Sequence, residues 1–342
     1  MNFKKLLINQ IAKWMIGRQP LAIPGAVEVE PTRVLVICYD AIGDFILSLP
    51  AIARLREMYP AARLELVCSR RNERLAASVA GIDECHVITL NDTLLSAGMW
   101  CKLRELRHRQ YDMVINLFDE PDDIAMAKLL FLANGRLQSL PLRFKSEAQQ
   151  RVLPLFNQKA TIVSSRPIRE HFVYRMLSVT GDQTHVPVTI PSPCNEQLDT
   201  HAYGPYLLVN LTGSQVGNSM VDQQINGILA QLPVYPGVSY LVFSKRPLAC
   251  QRQDMTALFP DTILDAAKII KDARGVISTD TSIIHISSSF GVPTLVLMNN
   301  ESWRDAFIPL SGRNIILRST TDNLSALSPV EISRQVDVLM TL

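Results

Sequence analysis

The sequence lacks any run of about 18 uninterrupted apolar residues, so no segment of it can cross a bilayer as a helix. Aromatic residues are scarce at 6%, and the net charge is only +2; a general nucleic-acid binder needs a strongly basic domain with interleaved aromatics. None of the six cysteines stands in a C-x-x-C pair, and none of the six histidines is spaced as H-x-x-x-H or H-E-x-x-H, so no metal site is read. Cys38, Cys68, Cys85, Cys101, Cys194 and Cys250 are scattered, several of them in apolar runs, as buried thiols of a reducing compartment are. No G-x-G-x-x-G occurs, which removes the ordinary dinucleotide fingerprint. What remains is 47% apolar, 19% charged, with 15 glycines and 20 prolines, a globular profile and not a disordered, collagenous or coiled-coil one. At 342 residues the chain exceeds what one hydrophobic core usually serves, and two domains are expected.

The small net charge is unevenly spread. Residues 1–18 hold Lys4, Lys5, Lys13 and Arg18 and no acid, whereas the rest of the chain is slightly acidic. In FKKLLINQIAKWMI (3–16) the period of 3.6 puts Phe3, Leu7, Ile11, Trp14 and Met15 on one helical face, away from Lys4, Asn9 and Lys13. A basic amphipathic helix with a tryptophan suits a membrane interface; the same face could equally pack on the protein body. A secretory signal is excluded, because Asn9, Gln10 and Lys13 break the apolar stretch and no small-residue cleavage site follows. A second cationic stretch, 136–175, carries eight basic residues, Arg143 and Lys145 among them, against Glu147 and Glu170.

Beyond a Pro/Gly-rich connector at 20–31, short branched runs alternate with segments of helical length. RVLVIC (33–38), RLELVC (63–68), CHVIT (85–89) and DMVINL (112–117) read as strands buried on both faces, separated by helical segments at 45–58, 72–80, 97–109 and 121–133. A turn-rich stretch at 185–205 interrupts the pattern, which restarts with YLLVNL (206–211), VSYLVFS (238–244), GVIST (275–279), PTLVLM (293–298) and NIILR (314–318) and closes on a helix at 329–341. The expected architecture is α/β: an amphipathic tail (1–18), a first Rossmann-like doubly wound lobe (19–190), a linker (191–205) and a second such lobe (206–342), facing a central cleft. Ligands of such sheets bind beyond the carboxyl ends of the strands.

Two of those ends carry chemistry. In YDAIGDFILSLPAI (39–52), Gly43 would permit a tight strand-to-helix turn, and Asp44 at the helix start is either an N-cap or a carboxylate presented to the cleft; Asp40 is a second acid in the same loop. In GVISTDTSIIHISSSFGVPTLVLM (275–298), a strand runs into the turn Asp280-Thr281-Ser282 and then into a helix with His285 one turn in and Gly291 past its end. Helix N–H groups at 281–283 and the dipole behind them can bind a pyrophosphate, though a capping Thr and a core His would give the same letters.

Together the two loops resemble glycosyltransferase family 9, the lipopolysaccharide heptosyltransferase family. The likeness is carried by RVLVICYDAIGDFILSLPAIARLREMYPAARLELV (33–67), YDMVINL (111–117) and DTSIIHISSSFGVPTLVLM (280–298). It implies a GT-B fold and a cytoplasmic, metal-independent inverting transfer of a sugar, heptose from ADP-heptose, to a lipopolysaccharide core or related cell-envelope glycan at the inner membrane face, with no cofactor beyond the nucleotide-sugar donor. Asp44 matches the family's general base and Gly43 its neighbour; Asp280, Thr281, Ser282 and His285 match the donor-binding turn. The chain departs from the family at 210–220, NLTGSQVGNSM, where a Lys-Arg-Trp-like segment is usual: Thr212, Gly213 and Ser214 can still form a phosphate-contacting turn, but the basic residue is missing. It departs again at Ser244-Lys245-Arg246, where the family has Gly-Gly and an acid; Lys245 or Arg246 would restore positive charge, unless both are ordinary surface residues.

Arg143 and Lys145, with Arg70 and Arg71 after the second strand and Asp119 after the fourth, are expected on the acceptor side; the arginine forks among them suit phosphate. Two other readings stay open: a non-catalytic relative that binds nucleotide or glycan or supports another transferase, and an epimerase of the same shape. Nucleic acid is not an expected partner.

Overall fold

A computed structural model describes residues 3–18, 30–88, 94–119, 121–134, 147–150, 171–180, 190–213, 216–250 and 252–342. The chain divides into two compact units, Met1–His185 and Val186–Leu342. In the first, α1 (Phe3–Gly17) precedes β1 (Arg33–Cys38), α2 (Ile42–Met58), β2 (Arg63–Cys68), α3 (Glu73–Ala77), β3 (Glu84–Val87), α4 (Ala97–His108), β4 (Met113–Asn116), α5 (Asp123–Ala133), α6 (Glu147–Gln150) and α7 (Phe172–Ser178). The four strands form a parallel sheet in the order β3-β2-β1-β4. One face of it, with Leu35, Ile37 and Val67, packs under Leu103 of α4, Met126 and Leu130 of α5, and Ile8, Ala12 and Ile16 of α1.

The second unit holds β5 (Tyr206–Asn210), α8 (Asp222–Gln231), β6 (Ser239–Phe243), β7 (Met255–Leu258), α9 (Ile263–Asp272), β8 (Gly275–Thr279), α10 (Ser282–Ser289), β9 (Thr294–Met298), β10 (Asn314–Arg318) and α11 (Pro329–Leu339). Its six parallel strands run β10-β9-β8-β5-β6-β7. The central strands β5, β8 and β9 are buried along their whole length, which is why their sequences read as continuous apolar runs. Gly291 closes α10 with φ of 70°, a left-handed position that suits glycine. β7 escaped the sequence reading because it is a short edge strand whose Thr256 and Ala257 are exposed, leaving no apolar run to see.

The turn-rich segment expected as a linker is built into the second unit. Ser192 N–H donates to Ser289 Oγ (3.1 Å), Asn195 Nδ2 to Asp265 Oδ1 (2.7 Å), and the Thr200 hydroxyl bonds Asp272. The tail also differs from expectation. α1 seats Ile8, Ala12 and Ile16 on the body, while Leu7, Ile11 and Trp14 of the predicted apolar face point outward. Among the described residues no helix is long and apolar enough to cross a membrane.

Candidate functional site

Each sheet reverses its strand order once, and the loops leaving the two strands at that reversal part and open a crevice. In the first sheet the reversal lies between β1 and β4; in the second, between β5 and β8. Gly43, Asp44 and Asp119 lie at the first of these places and Thr212, Gly213, Asp280, Thr281 and Ser282 at the second, whereas Arg70 and Arg71 follow β2 and Lys245 follows β6.

At the first crevice the chain turns at Tyr39–Ala41 and enters α2. Ala41, which has no capping side chain, holds the N-cap position, and Gly43 and Asp44 are the second and third helical residues. The two sequence expectations are corrected accordingly: Gly43 does not make the turn, and Asp44 is not the cap. Asp44 is instead a half-buried first-turn carboxylate, placed at the positive end of the helix dipole. Its carbonyl accepts from Ser48 Oγ at 2.8 Å, which ties the first turn to the second. The loop is anchored from both sides, since Asp40 Oδ2 accepts from the Asp119 N–H (2.9 Å) and the Asp40 carbonyl from Asn72 Nδ2 (2.8 Å). Burial, and then the nearby carboxylates of Asp40 and Asp44, push the Cys38 thiol well up, so it stays protonated and unreactive. Asp119 is buried, with its carboxylate 3.5 Å from the fully buried Arg175 guanidinium, which makes it a member of the loop framework. Arg70 and Arg71 are exposed in the turn beyond β2, at the same sheet end.

At the second crevice the turns after β5 and β8 interlock. Asn210 Nδ2 lies 3.1 Å from Ser278 Oγ and 3.2 Å from Thr281 Oγ1, and Asn218 Nδ2 donates to the Asp280 carbonyl at 2.7 Å. Gly213 is held by Ser219, which accepts its N–H at 2.7 Å; a Cβ on Gly213 would come within 3.0 Å of the Asn218 carbonyl and the Thr281 methyl, so the close approach requires glycine. Thr281 caps α10 and takes the Ile283 N–H at 3.4 Å, so that donor is already engaged by the cap. Ser282, the first helical residue, is half-buried, and His285 is buried one turn further on. The Asp280 carboxylate is turned to Arg304, a buried side chain that also bonds Glu301 (3.0 Å). Burial raises the Asp280 carboxyl against the pull of Arg304.

Beside this crevice lies a cavity of about 420 Å³, lined by Thr212, Asp222, Phe243, Lys245, Arg246 and Phe259, among others. The Lys245 ammonium lies over the Phe259 ring, 4.6 Å from its centroid. Thr212 and Lys245, 33 positions apart in sequence, thus share one pocket with apolar walls and a charged rim, on which Arg246 lies 3.7 Å from Asp222. Ser214, Arg143 and Lys145 fall outside the described residues. Sequence reading missed Asn210, Asn218 and Ser219; polar letters at the carboxyl ends of two largely apolar strands, Asn210 and Ser278, which pair in register, were the available signal. Nothing local marked Arg304 or Asn72.

Glu65, Glu84 and His86 have ligand atoms within 4.8 Å of one another, a spacing that metals use. Three guanidinium groups surround them: Arg33 and Arg63 donate to Glu65 Oε1 (2.8 and 3.0 Å), and Arg109 reaches both Glu65 (2.9 Å) and Glu84 (2.8 Å). A cation would have to enter an already cationic shell, so the group is an ion-pair network at the amino ends of the strands.

Two parallel-sheet Rossmann-like lobes with turns gathered at their strand-order reversals define an α/β fold of the GT-B type. No family model matches the chain. It is 24% identical over 296 residues to a candidate glycosyltransferase of Haemophilus influenzae, covering 79% of this chain and 83% of that one. A family 9 glycosyl transferase structure from Veillonella parvula is similar with a TM-score of 0.72 at 15% identity, over 93% of this chain and 99% of that one. The E. coli ADP-heptose LPS heptosyltransferase II is similar with a TM-score of 0.70 at 16% identity, over 90% and 98%. The fold likeness is to the family that the loop sequences resemble.

Proposed function

We propose that the chain is a glycosyltransferase of the heptosyltransferase type, which moves heptose from ADP-heptose to a lipopolysaccharide core or related cell-envelope glycan with inversion at the anomeric carbon. The observation that supports this reading best is that the helix-start carboxylate of Asp44 and the cradle of Thr212, Gly213, Thr281 and Ser282 each lie at the strand-order reversal of their own sheet. In the proposed reaction Asp44 takes the proton of the acceptor hydroxyl as that oxygen attacks, and the bond to the nucleotide diphosphate breaks on the opposite side. The departing charge is met by the amino end of α10, the Thr212 hydroxyl and the Lys245 ammonium, so the reading asks for no metal. The nucleoside occupies the cavity between Phe243 and Phe259, and Arg70 and Arg71 receive acceptor phosphate. Asp119 acts by holding the Asp40 loop, not by touching acceptor, and Asp280 by fixing its turn through Arg304. The likeness to proteins whose names carry ADP-heptose and LPS supports this choice of donor and acceptor.

One observation favours the non-catalytic reading: the described part of the turn 211–220 offers no basic side chain, and the Gly213 N–H is already used by Ser219. One experiment decides. The protein is incubated with ADP-heptose and other nucleotide sugars, with and without a glycan acceptor, and nucleotide release is followed. Release that depends on acceptor, and that falls about 10²- to 10⁴-fold in Asp44→Asn while donor affinity is kept, is the expected result. Tight donor binding without release would support the binder, and undiminished turnover in Asp44→Asn would remove Asp44 from its role.

A further inference from the structure

We infer that the outer face of α1 docks the protein on an anionic lipid surface. The sequence pattern suggested one apolar face, but α1 carries two. The inner one, Ile8, Ala12 and Ile16, is consumed by packing on the body. The outer one leaves Leu7 at 47%, Ile11 at 38% and Trp14 at 57% exposed, with Leu6 (41%) at its flank. Spacings of four and three residues stack these side chains in a single stripe along a helix about 22 Å long. A globular surface does not ordinarily leave four large apolar side chains together on one helix.

Charge chooses the occupant. Residues 1–18 carry four cations and no acid, and Arg18 continues the stripe with its guanidinium 4.4 Å above the Trp14 ring. Lys13 reaches Asp123 at 3.8 Å but keeps half of its side chain exposed. A tryptophan among aliphatic residues, rimmed by cations, matches the boundary between acyl chains and anionic headgroups: the apolar stripe enters the boundary, and each nearby cation contributes attraction. A protein partner of ordinary composition supplies no such uniform negative field. The inference deepens the transferase reading, on which it rests only for why a lipid-borne acceptor would call for such docking.

The test uses the full chain and sedimentation with vesicles of phosphatidylcholine, alone or mixed with phosphatidylglycerol. Binding is expected on the mixed vesicles, to fall with added salt, and to be at least about tenfold weaker on phosphatidylcholine alone. The Leu7→Ser/Ile11→Ser/Trp14→Ser variant should bind about tenfold or more weakly, and Lys4→Gln with Arg18→Gln about tenfold more weakly. The single Trp14→Ala variant, read in the same way, serves if the triple variant does not fold. Undiminished binding of these variants, equal binding to both vesicle types, or a self-association in solution that the triple variant abolishes would overturn the docking. Transfer to a water-soluble acceptor fragment keeps the two readings apart. Wild-type protein that sediments with anionic vesicles but transfers no sugar supports docking and sinks the transferase reading; protein that transfers to the fragment yet ignores vesicles does the reverse.

Discussion

Asp44 and Glu65 are two carboxylates of the same lobe, set to different tasks by their neighbours. Asp44 is half-buried at the start of a helix, at the strand ends where ligands of such sheets bind. Glu65 has no exposed side-chain surface and is filled by donors: the Tyr111 hydroxyl at 2.7 Å, His86 Nε2 at 2.8 Å, and Arg33, Arg63 and Arg109. Burial pushes the Glu65 carboxyl up, but the donations from Tyr111, His86 and Arg33 overcome it and hold the group at about 2. Glu84, held first by Arg109 and then by Arg63, is also at about 2. A carboxylate held lower in the folded chain than its ordinary value of 4.5 contributes stability that is fully present above that value and is lost as pH falls toward 2. Urea unfolding followed between pH 7 and pH 2 should therefore show wild-type stability dropping below pH 4.5. Glu65→Gln should cost about 1–3 kcal/mol at pH 7, because a buried amide then replaces the carboxylate that accepts from Tyr111 and three partly exposed guanidinium groups, and should flatten the acid limb. An unchanged acid limb in that variant would show that the network carries no such linkage.

Among the elements, α1 is the one whose two faces have different work. Its inner face is part of the first lobe's core, so removing residues 1–18 would uncover apolar side chains on α5 as well as delete the outer stripe. Point substitutions separate the two. Ile16→Ala, at a fully buried position, should lower stability by about 2–4 kcal/mol. Trp14→Ser, on the exposed face, should stay within about 0.5 kcal/mol of wild type. Equilibrium urea unfolding of both variants checks this, and a large loss in Trp14→Ser would mean that the outer face is covered by the protein itself. α10 shows a different economy. Thr281, already bound to Asn210, caps the helix, and Arg304 takes the Asp280 carboxylate, so the turn is stiffened before any ligand arrives. Under the proposed reading, a cradle fixed in this way has little ordering left to do for a diphosphate.

At the scale of the molecule, each unit has its own parallel sheet and its own point of strand-order reversal. The proposed division of labour puts nucleotide on the second unit alone. Hydrogen exchange with added ADP should accordingly slow at 211–213, 216–220 and 280–285 and leave 39–44 unchanged. Slowing confined to 39–44 would reverse the assignment of donor and acceptor sides.

The sequence alone determined every described strand but the edge strand β7, because parallel strands buried on both faces are short, branched and continuously apolar; the runs at 33–38, 63–68 and 275–279 coincide with β1, β2 and β8. It also determined which turns carry polar and glycine residues at the strands' carboxyl ends, since polar letters stand out against such runs. Only the tertiary structure decided where those letters point. That Asp280 faces Arg304, that Asp119 holds a loop, that Lys245 shares a cavity with Thr212, and that α1 hides Ile8, Ala12 and Ile16 while exposing Leu7, Ile11 and Trp14 all depend on neighbours distant in the chain. Periodicity states that a helix has an apolar side; which side is buried is set by the surface it meets, and a helix with two apolar sides leaves that choice to packing.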